Sequence, residues 1–339
     1  MKVTSAKDIA NLLGVSQATV SMVLNNKPGV SVARRNEIID KINELGCNHL
    51  LKKNGASLRS LGFVVYKRQG DIVDESPFFS YIIEGVNTQA TKYGYQLVMI
   101  YINKSMAVQE QVEQILINGC DGLIVFATEM FNDDLLVFKQ LNLPYVLLDN
   151  YFVFENINTV CIDNQKGIHK AVNYLVEKGH KHIGYLQSKV SINSFQERFN
   201  TFHKLMQDYG HPTFSQFVFQ IGYSEQQSYQ DMKDILLRGA DLPTALLSDN
   251  DWLAFGAMRA LLEQGVRIPE DISIIGFDDR SICLNTKPQL TTIAIPKDIF
   301  GPKAIDLLVE SLQPPSKQAV TILLSVNLIE RGSVLDLIG

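Results

Sequence analysis

Apolar positions between residues 5 and 46 recur at helical spacing. Ser5 followed by Asp8 has the form of a capping box and predicts a helix starting near Ala6. Ile9, Ala10, Leu12 and Leu13 supply its apolar face, and Gly14 ends it. Ser16 can cap a second helix, in which Val20, Val23 and Leu24 form one stripe while Gln17, Ala18, Ser21, Met22 and Asn25 fall on the other side. A third helix follows Ser31, with Ile38, Ile42 and Leu45 inward and Gly46 at its end. From residue 61 the pattern changes. Short apolar runs (LGFVVY, YQLVMIYI, DGLIVFA, LPYVLLD, NTVCID, KHIGYLQ, SQFVFQI, PTALLSD, ISIIGFDD, LTTIAIP) alternate with helical stretches. Many of those stretches end at a glycine just before the next run: Gly94, Gly119, Gly179, Gly210, Gly239 and Gly265. Continuous apolar strands between helices predict parallel sheet covered on both faces. About 280 residues of such units exceed one usual core, so two α/β lobes are expected. Ligands of open parallel sheets sit beyond the carboxyl ends of the strands, here between the lobes.

Charge divides the chain at the same place. Residues 1–60 hold nine Lys/Arg against four Asp/Glu, whereas the remainder holds 22 against 32. A basic head on an acidic body suits a head that meets a polyanion. Cys47, Cys120, Cys161 and Cys283 lie far apart without metal-ligand spacing, so reduced, mostly buried thiols are expected. The first residues carry no apolar stretch of signal-peptide type and no run approaches transmembrane length, giving the expectation of a cytoplasmic protein with no membrane partner.

Three short helices of this layout form a helix–turn–helix, whose second helix fits the major groove of DNA. There Gln hydrogen-bonds base edges, and Ala or Met touches a thymine methyl. Periodicity alone also allows a generic three-helix bundle with solvated polar faces. The string VTSAKDIANLLGVSQATVSMVLNNKPGVSVARRNEIIDKINELG, residues 3–46, resembles the DNA-binding head of the lactose/galactose repressor (LacI-type) family. The resemblance implies base reading by Gln17, Ala18 and Met22, and mainly backbone contacts by Ser16, Thr19, Ser21, Asn25 and Ser31. Met22 stands where many members have Arg, which removes one guanine reader.

In that family a hinge segment then folds on the operator and wedges a Leu into the minor groove. Here residues 47–60 read CNHLLKKNGASLRS, shorter and without the usual Pro. Leu50 or Leu51 is the candidate wedge, with Lys52 and Lys53 on phosphates; a plain basic linker is the alternative. The likeness continues through the body to about Gly332 on SPFF (76–79), GCDGLIVFA (119–127), VLLDN (146–150), VCIDNQKG (160–167), SDNDWLAFGAMRAL (248–261), ISIIGFDD (272–279) and PQLTTI (288–293). It implies an all-α head joined to a two-lobed α/β effector domain of the periplasmic-binding-protein type, crossed three times by the chain. By that likeness the first lobe comprises about 61–160 and 291–318, and the second about 161–290 and 319–332.

Effector candidates follow from strand ends and chemistry. Asp149 and Asp278 end strands and Asn250 follows one, so their oxygens can accept sugar hydroxyls, while Arg198 offers a fork of donors. Phe78, Phe79 and Tyr223 offer flat faces for a pyranose or a base, although Phe78 and Phe79 also suit a core. Family positions matching Asp149, Arg198, Tyr223, Asn250 and Asp278 line the effector cleft. Asp279 is read as a helix cap, Asp163 and Asn164 as structural, Trp252 as packing, and His180 and His182 as capping a helix–strand junction. In the loop KRQGDIVDE (67–75), Lys67 and Arg68 could select an anionic, phosphorylated sugar, or simply be solvated.

The expected function is therefore an effector-controlled transcription factor, a repressor of carbohydrate genes acting as a homodimer on a palindromic operator, with no cofactor and no metal. One alternative is control mainly by a phosphorylated carrier protein. An uptake sugar-binding protein would need an export signal and no DNA head. No GxGxxG follows a strand, and neither GxSxG nor a His/Cys cluster is present, so no enzyme is expected.

Overall fold

A computed structural model describes residues 5–24, 29–45, 47, 59–70, 72, 77–211, 215–313 and 318–338. The head consists of α1 (Ala6–Leu13), α2 (Gln17–Leu24) and α3 (Val32–Glu44). The capping box forms: the Asp8 amide donates to Ser5 Oγ at 3.3 Å and the Ser5 amide to Asp8 Oδ2 at 3.0 Å. Gly14 closes α1 in the left-handed conformation. Ile9, Ala10, Val20, Val23, Leu24, Ile38 and Ile42 interlock as the small core, whereas Leu12 turns outward. Cys47, placed by the sequence in the hinge, joins this core instead, its amide donating to the Ile42 carbonyl.

All ten apolar runs of the body are strands, and two more follow them. In chain order the body comprises β1 (Arg59–Lys67), α4 (Pro77–Lys92), β2 (Tyr95–Asn103), α5 (Val108–Leu116), β3 (Gly122–Phe126), α6 (Leu136–Lys139), β4 (Tyr145–Leu148) and β5 (Asn158–Ile162). Next come α7 (Asn164–Glu177), β6 (Ile183–Ser188), α8 (Asn193–Asp208), β7 (Val218–Ile221), α9 (Glu225–Leu237), β8 (Ala245–Ser248), α10 (Asp251–Glu263) and β9 (Ser273–Asp278). The chain ends with β10 (Thr291–Ala294), α11 (Lys297–Ser311), β11 (Thr321–Leu324) and β12 (Asn327–Ile329). One sheet has the order β11-β5-β4-β3-β1-β2 and the other β12-β10-β9-β8-β6-β7. Among the described residues every pairing is parallel except β10 with β12.

The lobe boundaries expected from sequence need one correction. Residues 291–294 pair with Ile275–Asp278 and so complete the second sheet, while 321–324 pair with 159–162 and complete the first. The chain crosses between lobes at 162–164, 294–297 and 324–327. An apolar run such as LTTIAIP satisfies either sheet, and only its hydrogen-bond register assigns it.

The six helix-ending glycines all take positive φ. Gly179 has a second constraint, because a Cβ there would sit 2.7 Å from Ile338, where the tail returns. That tail is sewn to the second sheet: Ser333 Oγ donates to Ile274 O and accepts from the Thr291 amide. His180 is buried against it, with Nε2 at 3.1 Å from both Leu335 O and Ser273 Oγ. Its side chain therefore links sheet and tail while its amide caps α7 by donating to the Leu175 carbonyl, and burial depresses its pKa. All four cysteines are buried thiols outside any disulfide. Among the described residues no helix is long and apolar enough to cross a membrane.

Candidate functional site

The head presents one polar face. Val20, Val23 and Leu24 of α2 are buried, whereas Gln17 and Ala18 are exposed and Thr19, Ser21 and Met22 are half-buried. Ser16 caps α2: its Oγ accepts the Thr19 amide at 3.0 Å and lies 2.8 Å from Thr19 Oγ1. These two hydroxyls thus fix the helix start while remaining at the surface. Met22 leans toward the turn before α3, with its Sδ 3.7 Å from the position a Cβ on Gly29 would take. Ser31 is exposed at the start of α3. Asn25, Leu50 and Leu51 lie outside the described residues.

In the body, one cavity between the lobes is lined by five of the effector candidates: Asp149, Arg198, Tyr223, Asn250 and Asp278. Its volume is about 40 Å³. Asp149 and Asp278 leave their strands with φ of 69° and 108°, a conformation that non-glycine residues rarely adopt and that costs free energy unless the surroundings enforce it. Asp149 Oδ2 accepts from Thr128 Oγ1 at 2.7 Å. Burial pushes its carboxyl up to about 6, held there by that bond and the nearby guanidinium of Arg198.

Arg198 is buried over the Phe277 ring, 3.6 Å from its centroid. Its Nε donates to Asn164 Oδ1 at 2.8 Å, its Nη1 donates to the Asp249 carbonyl, and its Nη2 stands 3.7 Å from Asp278 Oδ1. Asp278 Oδ2 in turn accepts from Arg280 Nε and Nη2 at 3.2 and 3.1 Å. Two guanidiniums therefore flank one carboxylate. Asn250 caps α10, its Oδ1 accepting the Leu253 amide at 3.0 Å. Asp249 and Asp251 on either side are fully buried, and burial pushes both up to about 7.

The aromatic candidates divide. Tyr223 lines the cavity beside Phe195, their ring centroids 6.2 Å apart. Phe79 instead packs in the first-lobe core against Phe63 and Phe126, at 6.0 and 5.3 Å. The Phe78 side chain lies outside the described residues.

The anion-selecting role considered for Arg68 does not fit its surroundings. Its Nη1 is bound to Asp133 and Asp134, and its guanidinium lies over Phe131. Lys104 and Tyr66 bind the same buried Asp134. Asp279 pairs with Arg331 at 2.6 Å rather than capping a helix, while Asp163 does cap α7.

Sequence reasoning missed Ile72, Thr128, Phe195 and Arg280, which also line the cavity. Thr128 follows β3 and was reachable by the strand-end rule. Arg280 stands directly after the carboxylates of GFDD. Ile72 comes from the 67–75 loop yet packs into the apolar cluster of the second lobe. It is aimed there by Glu129, whose buried carboxylate accepts the amides of Arg68, Gln69, Gly70 and Ile72. No pattern in the sequence marks that pairing. Among the described residues, no three His, Cys, Asp or Glu side chains converge as metal ligands do.

Comparison with known proteins agrees with this architecture. Residues 5–47 match the model of the bacterial regulatory proteins of the lacI family, and residues 172–334 that of the periplasmic binding protein-like domain. The chain is 30% identical over 336 residues to the HTH-type transcriptional repressor PurR of Actinobacillus pleuropneumoniae serotype 3 (strain JL03), covering 98% of each chain. It is 31% identical over 334 residues to the repressor of the same name from Pasteurella multocida (strain Pm70), covering 97% of this chain and 98% of that one. Among solved structures, the lac repressor dimer bound to operator and the anti-inducer ONPF superposes with a TM-score of 0.72 at 27% identity, over 98% of this chain and 100% of that one. A LacI family transcriptional regulator from Enterococcus faecium with bound ribose gives 0.69 at 27%, over 82% and 100%. These relatives are repressors and regulators, not enzymes. The chain belongs to the lacI family of bacterial regulatory proteins, a DNA-binding transcriptional repressor with a helix–turn–helix head on a two-lobed periplasmic-binding-protein-like body.

Proposed function

We propose that this repressor reads a two-fold operator as a homodimer and is controlled by a carbohydrate taken between its lobes. Gln17, Ala18 and Met22 meet base edges, while Ser16, Thr19, Ser21 and Ser31 hold the phosphate backbone. One head of this size covers too little DNA for tight binding, so two act together on a palindrome. The solved lac repressor relative is itself a dimer on its operator.

The observation that carries the effector reading is the convergence of Asp149, Arg198, Tyr223, Asn250 and Asp278 on one cavity. They mix acceptors, donors and an aromatic face in the way a polyhydroxylated ring requires. Asp149 belongs to the first lobe and the other four to the second. At about 40 Å³ the cavity is far below the roughly 300 Å³ or more of ordinary ligand pockets, so the lobes must part to admit the effector. Affinity is thereby tied to lobe angle, and lobe angle to the spacing of the heads.

The aromatic pair Phe195 and Tyr223 also suits a planar base, so both classes enter the test. DNA selection from a random duplex pool is run at two salt concentrations, with and without sugars, sugar phosphates and free purine bases. The expected result is a palindromic, salt-sensitive site whose affinity shifts at least tenfold with one carbohydrate and with no base. A shift produced by a base alone would overturn the carbohydrate assignment. Failure to retain any duplex at low ionic strength would overturn the reading as a whole.

A further inference from the structure

Beside the inner cavity, and sharing Asp149, Ile162 and Ser194 with it, lies a hollow of about 420 Å³. Its walls come from both lobes: Asn132 and the loop 149–154 after β4 on one side, the starts of α7 and α8 on the other. Amide side chains dominate it. Asn150 and Asn193 meet across the lobes, Nδ2 of Asn193 donating to Oδ1 of Asn150 at 3.1 Å. Tyr151 of the first lobe donates to Glu197 of the second at 2.6 Å. Asn164 and Gln165 donate to the same carboxylate, both at 3.0 Å, so the acid in the floor is already satisfied by three donors. Among the described residues, the amides of Asn132 and Asn200 make no hydrogen bond within the chain, and both are exposed to the hollow. At the rim stand Val153, 77% exposed, and Phe154, 98% exposed.

We propose that this hollow is an outer subsite continuous with the inner cavity, and that the effector has two sugar rings, one at Asp149 and Asp278 and the other among the amides against Phe154. The proposal rests on the reading of the inner cavity as a carbohydrate site and extends it to the size of the ligand. Three features point this way. An amide presents a donor and an acceptor side by side, matching neighbouring hydroxyls without demanding charge. An exposed ring offers a stacking face for the C–H side of a pyranose. The outer volume falls in the range of ordinary ligand pockets, which the inner one does not. Because Asn150–Asn193 and Tyr151–Glu197 span the lobes, a ring laid on them reports directly on lobe angle.

Calorimetric titration of the full-length protein with cellobiose, maltose, lactose and sucrose, and with glucose, galactose and fructose, tests this. One disaccharide should bind at least tenfold tighter than either of its own monosaccharides. Phe154→Ser and Asn200→Ala should each bring that ratio toward one, and Asp278→Asn should abolish binding of both sizes. A monosaccharide bound as tightly as the disaccharide, with Phe154→Ser and Asn200→Ala indistinguishable from wild type, would overturn the outer subsite and leave the inner one standing. Binding of none of these sugars would overturn both.

Discussion

Replacing Glu129 with glutamine separates the carboxylate from everything else that shapes the 67–75 loop. In the native protein Oε2 accepts from Arg68, Gln69 and Gly70 at 2.8, 2.9 and 2.9 Å, and Oε1 accepts from Ile72 at 3.1 Å. Glutamine keeps one oxygen and puts an NH₂ where the other stood. If the oxygen keeps the trio, the new amide faces the Ile72 N–H donor to donor. Three charge-assisted bonds also become neutral, each weaker by about 1 kcal/mol. Gln69 is exposed and Arg68 and Gly70 only half-buried, so water recovers part of this; the net loss is about 2–3 kcal/mol. The loss stays local, because the loop can open while both sheets stay intact. Native-state hydrogen exchange should therefore accelerate roughly 30- to 150-fold at the amides of 68, 69, 70 and 72, with the central strands unaffected. Ile72 should leave the second-lobe cluster in the same opening. Less than a threefold change at those four amides would refute the assignment of Glu129 as the anchor of the loop.

On the selected operator, Gln17→Ala should weaken binding by about 1–3 kcal/mol through relaxed preference at one base pair, with the salt slope unchanged; competition binding at several ionic strengths distinguishes this from loss of a phosphate contact. Ser16→Ala removes the cap of α2 and should lower stability by about 1 kcal/mol in urea titration, in addition to any effect on DNA. Gly256→Ala should destabilise the second lobe by about 2–3 kcal/mol or prevent folding, since its Cβ would lie 1.8 Å from Ser228 Oγ and 2.7 Å from the Glu225 carbonyl; urea midpoints check it. Asp249, raised by burial to about 7 from an unfolded value near 4, contributes stability that is full below pH 4 and lost as pH rises through 7. The stability difference between wild type and Asp249→Asn should consequently move in the variant's favour between pH 5 and 8, as followed by urea unfolding.

Much of this molecule was legible because its signals are local. The capping box at Ser5–Asp8, the α2 stripe and the ten apolar runs needed only neighbouring residues. Asp149, Asn250 and Asp278 were legible too, since each is a polar residue at the end of a parallel strand. Arg198, in the middle of α8, was reached instead through its donor chemistry and the family likeness. What escaped depended on pairing between distant segments. The strands at 321–324 and 327–329 are short and half-exposed, and at the first of them only Leu324 is buried, so no apolar run announces them. Phe79 and Tyr223 were alike as flat apolar groups, and only the packing of Phe63 and Phe126 separates them. Arg68 read from the sequence as either an anion selector or a solvated loop residue, and its ion pairs with Asp133 and Asp134, more than sixty residues away, leave it neither.

The three crossings have a consequence for how the protein is made. As the chain leaves the ribosome, the strands of the first sheet emerge early, but its edge β11 and its covering helix α11 emerge only after nearly all of the second lobe. Until then α4 lacks the partner against which Gly301 closes to 2.8 Å of the Ile82 carbonyl and the Val86 amide, measured from a Cβ placed on that glycine. The nascent first lobe must wait half-clothed while its sibling is completed, a stage at which bare apolar surface invites aggregation. A stop codon just after residue 295 would leave both lobes unfinished, the first without α11 and β11, the second without β12 and the returning tail at His180.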